Sequence, residues 1–189
     1  MAWDFSVDVQ IVRMPGHTTD HLAGQRDTAR AFYAKFKIRL VTTIAALDFN
    51  PDGRDFVAAF DWGTFGPKCV SGAKKGCDVF IVPKMEAMGG YQPFGLTILP
   101  DRPPPHGVPV PGVGGRPEPN PTRPAIIMNA APLAGVPPMT LAHELGHALL
   151  DSTGHHPVSG NFMYADPSGM GDKFDATQIE RLTTSKWLI

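Results

Sequence analysis

The sequence predicts an α+β fold, a mixed twisted sheet with helices packed on it, on three observations. One segment alternates apolar and polar residues, several short apolar runs are bounded by Gly or Pro, and two segments repeat their apolar residues at helical spacing. Ser6 to Arg13 (SVDVQIVR) has the period of two that marks a half-buried strand, and Pro15-Gly16 follows it. Asp27 to Lys37 brings Ala31, Phe32 and Phe36 onto one helical face, an apolar stripe suited to packing on a sheet. Ile38 to Leu47 is rich in β-branched residues and reads as a strand ending at the turn-like DFNPDG. Phe56 to Phe60, Val79 to Pro83, Leu96 to Leu99 and Ala125 to Asn129 read as further short strands.

With 189 residues, 42% hydrophobic and 19% charged, the chain has enough apolar material for one core, so residues 1–189 are expected to form a single domain. A net charge of -1 gives no electrostatic footprint for nucleic acid or an anionic membrane surface. No stretch approaches the roughly 18 apolar residues that a spanning helix needs. The opening MAWDFSVDVQ lacks the basic-then-apolar pattern of a secretory signal. Residues 100–124 hold ten prolines and four glycines in 25 positions, which excludes a helix or a central strand and predicts a long loop. Cys69 and Cys77 flank a turn-like Gly- and Lys-bearing stretch and form a candidate disulfide, a pairing suited to an oxidising destination.

The chemistry concentrates in PPMTLAHELGHALLDSTGHH, where His143-Glu144-Leu145-Gly146-His147 makes an HExxH motif. Its surroundings are helical: Pro137 and Pro138 suit the first turn, Leu141, Leu145, Ala148 and Leu149 recur on one side, and Gly154 supplies a stop. At about 100° per residue the two histidines fall within roughly 40° of each other, so one face can be buried while the other holds a metal. Neutral imidazoles one turn apart suit Zn²⁺, which accepts tetrahedral nitrogen and oxygen ligation. Glu144 is placed to act as general base and acid on a zinc-bound water that attacks a peptide carbonyl. A catalytic zinc needs a third protein ligand and an open position; His155, with its neighbour His156 as the alternative, follows just after Gly154.

The run LAHELGHALLDSTGHHPVSGNFMY resembles the active-site helix, third-histidine segment and Met-turn of the metzincin zinc peptidases. The resemblance implies a metzincin-like mixed sheet with an active-site helix, a Met-turn and a C-terminal helix. It makes Met163 the floor beneath one catalytic zinc ion and Tyr164 a candidate pocket residue. It also likens Asp78 to Pro83 to the family's central strand, Gly95 to Pro100 to the edge strand that binds extended substrate, and the last fifteen residues to the C-terminal helix, with Asp175 as its N-cap. The usual HExxHxxGxxH pattern is not kept: Leu150 and Thr153 stand where Gly and His are expected, so the ligand loop is longer and the helix is expected to run through Leu150 or Asp151 before turning at Gly154. Glu180 offers a less favoured, gluzincin-like third ligand.

The expected function is therefore a zinc-dependent endopeptidase that takes a peptide or protein substrate. The compact core, the candidate disulfide and the missing secretory signal suit a toxin or effector domain delivered outside the producing cytoplasm. The proline-rich loop after the edge strand would then restrict entry to the cleft. The rival expectation is a non-catalytic binding module that keeps the zincin fold and holds a protein partner.

Overall fold

A computed structural model describes residues 2–13, 22–46, 75–82, 94–100, 123–129 and 138–189. The candidate strand over residues 56–60, Cys69 and nearly all of the proline-rich loop lie outside the described residues. In chain order the elements are β1 (Phe5–Arg13), α1 (Ala23–Ala34), β2 (Ile38–Ala46), β3 (Cys77–Val82), β4 (Gly95–Ile98), β5 (Ala125–Asn129), α2 (Thr140–Leu149) and α3 (Ala176–Thr183).

The strands form one sheet in the order β2-β1-β3-β5-β4, parallel throughout except for β4, which runs antiparallel to β5 at the edge. Parallel strands inside a sheet are covered on both faces, and the sequences show it: β5 (AIIMN) is buried at every position, and Val7, Val9, Ile11 and Val12 of β1 are all buried. The parallel β1 and β2 need a crossover, which α1 provides. Helix α1 spans Ala23–Ala34 rather than the expected Asp27 to Lys37. It starts earlier because Gln25 is drawn into the protein, where its Oε1 accepts from the Leu141 backbone N–H at 2.9 Å and so caps α2 from a distance. It stops earlier because Lys37 adopts a left-handed conformation (φ 58°) to enter β2.

Packing of α1 onto the rest of the molecule is aromatic. Phe32 stacks on Phe162 with centroids 3.9 Å apart, and Phe174 packs edge-on to both, fastening α1 to the segment after α2. Helix α2 is buried along its whole length, histidine face included, so it is a core helix.

The end of α2 corrects a second boundary. The turn is made at Asp151 (φ 49°), not at Gly154: Ser152 N–H donates to His147 C=O and Asp151 N–H to Ala148 C=O, a Schellman pair with aspartate in the usual glycine position. Aspartate tolerates that conformation better than most residues. Asp175 caps α3 in a reciprocal capping box with Gln178, as its sequence predicts.

Candidate active site

Helix α2 presents His143 and His147 one turn apart, and the chain reversal at Asp151 brings His155 back over them. One nitrogen from each of the three rings lies within 4.8 Å of the others. The ring of His155 faces that of His143 (5.3 Å, 20°) and stands across that of His147 (4.9 Å, 84°). The Nδ1 of His143 lies 3.1 Å from the Phe162 carbonyl and that of His147 lies 2.8 Å from the Ser152 carbonyl. A carbonyl only accepts, so both Nδ1 atoms carry the proton and both Nε2 atoms keep a lone pair. His156 is held elsewhere: its Nδ1 accepts from Val158 N–H, and its Nε2 stands 3.2 Å from Asp175 Oδ2. The structure therefore brings His155, and not His156, to the other two rings.

Burial, first, and then the neighbouring imidazoles lower His143 and His147, opposed by the carbonyl contacts and for His143 also by the Glu144 charge, and the net result is about 4 for each. Both are neutral at pH 7, the form in which imidazole binds a metal. The same shift predicts an acid sensitivity. A histidine with a depressed folded pKa binds more protons when unfolded, so its contribution is complete above about 6.5 and lost as the pH falls toward 4. Chemical denaturation of metal-free protein is expected to show a loss near 3 kcal/mol per histidine across that window, at about 1.36 kcal/mol for each pKa unit. His147→Phe should lose correspondingly less than the wild type; equal losses would show that His147 does not titrate there.

Glu144 follows His143 and points to the other side of the site, onto β4. Thr97 Oγ1 lies 2.6 Å from its Oε2 and 3.0 Å from its backbone carbonyl. Burial raises the Glu144 carboxyl, opposed by His143 and by the Thr97 hydrogen bond. Met163 packs on the α2 backbone, where a Cβ on Gly146 would stand 2.5 Å from its Sδ. A larger residue at 146 would displace the thioether. The turn carrying Met163 is shaped by Asn161, whose Oδ1 accepts from Met163 N–H and whose Nδ2 donates to Gln178 of α3. Tyr164 lies half-buried against Gly169, and Glu180 is exposed on α3, outside the histidine cluster. Cys77 is a free, buried thiol that burial pushes up to about 12, and its candidate partner lies outside the described residues.

Reading the sequence alone missed four residues. Gln25 and Arg123 carry no local signal, and Thr97 lies 47 positions from the glutamate it touches. Gly95 did carry one, since a glycine within a strand marks close approach of another group: a Cβ there would meet Glu144 Cγ at 2.7 Å.

Buried HExxH helix and returning histidine thus bring three imidazoles into a cluster that can hold a metal. No protein-family model matches the sequence, and neither does any curated protein. Among solved structures the fold is similar to that of archaemetzincin from Methanopyrus kandleri, with a TM-score of 0.56 and 15% identity over 94% of each chain.

Proposed function

We propose that this chain is a zinc-dependent endopeptidase of metzincin type. The observation that carries the proposal is the convergence of three imidazoles beside a buried glutamate seated on an edge strand. The donor set suits the ion: His143, His147 and His155 offer three nitrogens, two of them of fixed tautomer, which is the complement of a catalytic zinc with one open position. Zinc held there supplies Lewis acidity, polarising a carbonyl and making water a nucleophile at neutral pH. Glu144 takes the proton of the attacking water and delivers it to the leaving amine. Among the described residues β4 pairs only with β5, and a strand at such a position can align an extended peptide by backbone pairing. The substrate is a peptide or protein, and the domain acts outside the cytoplasm that makes it, as a secreted or delivered effector.

Elemental analysis of untagged protein prepared without chelators tests the site. About one zinc per chain is expected, lost in His147→Ala. Failure of the wild type to bind zinc even after reloading would overturn the proposal.

A further inference from the structure

Two residues of β4 share the face turned toward α2, and both meet Glu144. At 95 the strand offers no side chain, and the Glu144 methylenes lie where a Cβ would be. Two positions on, Thr97 is 4% exposed, and its hydroxyl reaches both the carboxylate and the carbonyl of the same residue. A glutamate side chain has three rotatable bonds and strong incentive to swing toward water from a buried site. Here its stem lies over a glycine and its head is tied to the strand.

We infer that Thr97, with the gap at Gly95, is the positioning residue that holds the Glu144 carboxylate against β4 for the proposed hydrolysis. The inference rests on the peptidase reading for its kinetic consequence, but not for its structural one. The hydroxyl has one proton and two acceptors within reach, and its contact with the carboxylate persists through the proton transfer. While Glu144 is ionised, Thr97 donates to Oε2. With the water's proton on the other oxygen, Oε1, Oε2 remains an acceptor and Thr97 still donates to it. No atom need move far and no partner is left without a bond. The strand that would align the substrate thus also holds the base, so both are referenced to the same backbone.

Thr97→Val keeps the shape and removes the hydroxyl, whereas Thr97→Ser keeps the hydroxyl. A hydrogen bond to a charged group sets the scale: kcat for a peptide substrate is expected to fall about 10- to 100-fold in Thr97→Val. KM and zinc content should hold, and Thr97→Ser should keep most of the wild-type kcat. Thr97→Ala replaces the valine variant if that protein does not fold. Crystal structures of the metal-free proteins give a readout that needs no turnover: Glu144 is expected to stay on β4 in the wild type and Thr97→Ser, and to leave it in Thr97→Val. Glu144 unmoved in Thr97→Val, an unchanged kcat in that variant, or equal losses in the serine and valine variants would overturn the inference. A wild type that binds zinc yet cleaves no peptide would sink the peptidase reading instead, and the crystallographic comparison alone would then decide the seat.

Discussion

Replacing Glu144 with glutamine is expected to lower peptide hydrolysis by about 10²- to 10⁴-fold, the usual contribution of a positioned general base, while zinc stays bound. Glutamine matches glutamate in shape, and its amide can still pair with the Thr97 hydroxyl, which lies 2.6 Å from Oε2. What it lacks is the capacity to take a proton from water. Folding should not suffer: burial raises the Glu144 carboxyl, so the ionised side chain is held at a cost that a neutral amide avoids. The melting temperature is therefore expected to hold or rise as activity falls. Measuring kcat, zinc content and thermal melting on one preparation separates the readings. A wild-type rate in Glu144→Gln would remove this residue from the mechanism, and no hydrolysis by either protein, with zinc and fold intact, would favour the binding module.

The parts of the molecule that were legible in sequence are those whose cause is local. The alternating β1 declares itself because each side chain's environment follows from its neighbours two positions away, and β5 because a short, uniformly apolar run suits a strand covered on both faces. The HExxH spacing works in the same way, since one helical turn is enough to bring His143 and His147 together. Misplaced features depend on distant partners. The turn after α2 falls at Asp151, where Arg181 of α3 takes the Leu150 carbonyl and Lys186 stands 3.6 Å from the Asp151 carboxylate, so distant partners hold a turn made without a glycine. The choice between His155 and His156 turns on Asp175, the cap of α3, which draws the second histidine away. Neighbouring histidines in sequence are indistinguishable until the chain that competes for one of them is in place.

The largest stability effect outside the site is expected from Arg123, at the end of the proline-rich loop. Its side chain is 2% exposed and forks onto Asp78: Nε donates to Oδ2 at 2.9 Å and Nη2 donates to Oδ1, while Nη1 donates to the Lys75 carbonyl (2.8 Å) and Nη2 also to Gln10 Oε1 (3.1 Å). One guanidinium thus joins β1, β3 and the entry to β5. Arg123→Ala leaves Asp78 buried without its counter-charge, a change that typically costs 3 to 5 kcal/mol, a large share of the roughly 5 to 15 kcal/mol that holds a domain together. The pH dependence identifies the cause. Burial already raises the Asp78 carboxyl, with Arg123 opposing it; without the arginine the shift grows. A carboxyl raised in the folded state binds its proton there first, so the variant should regain stability relative to wild type as the pH is lowered from 7 toward 5. Replacing both partners, Arg123→Met with Asp78→Leu, should recover part of the loss but not all, because the Lys75 carbonyl and Gln10 lose their donor. A loss below about 1 kcal/mol in Arg123→Ala, or one independent of pH, would mean that water reaches Asp78 and solvates it. The consequence reaches the site through pairing: Asp78 is opposite Ala125 in the β3 and β5 register, Ala125 is opposite Ile98 of β4, and Thr97 precedes Ile98. Loosening the fork is therefore expected to disturb the strand on which Glu144 rests before it disturbs α2 itself.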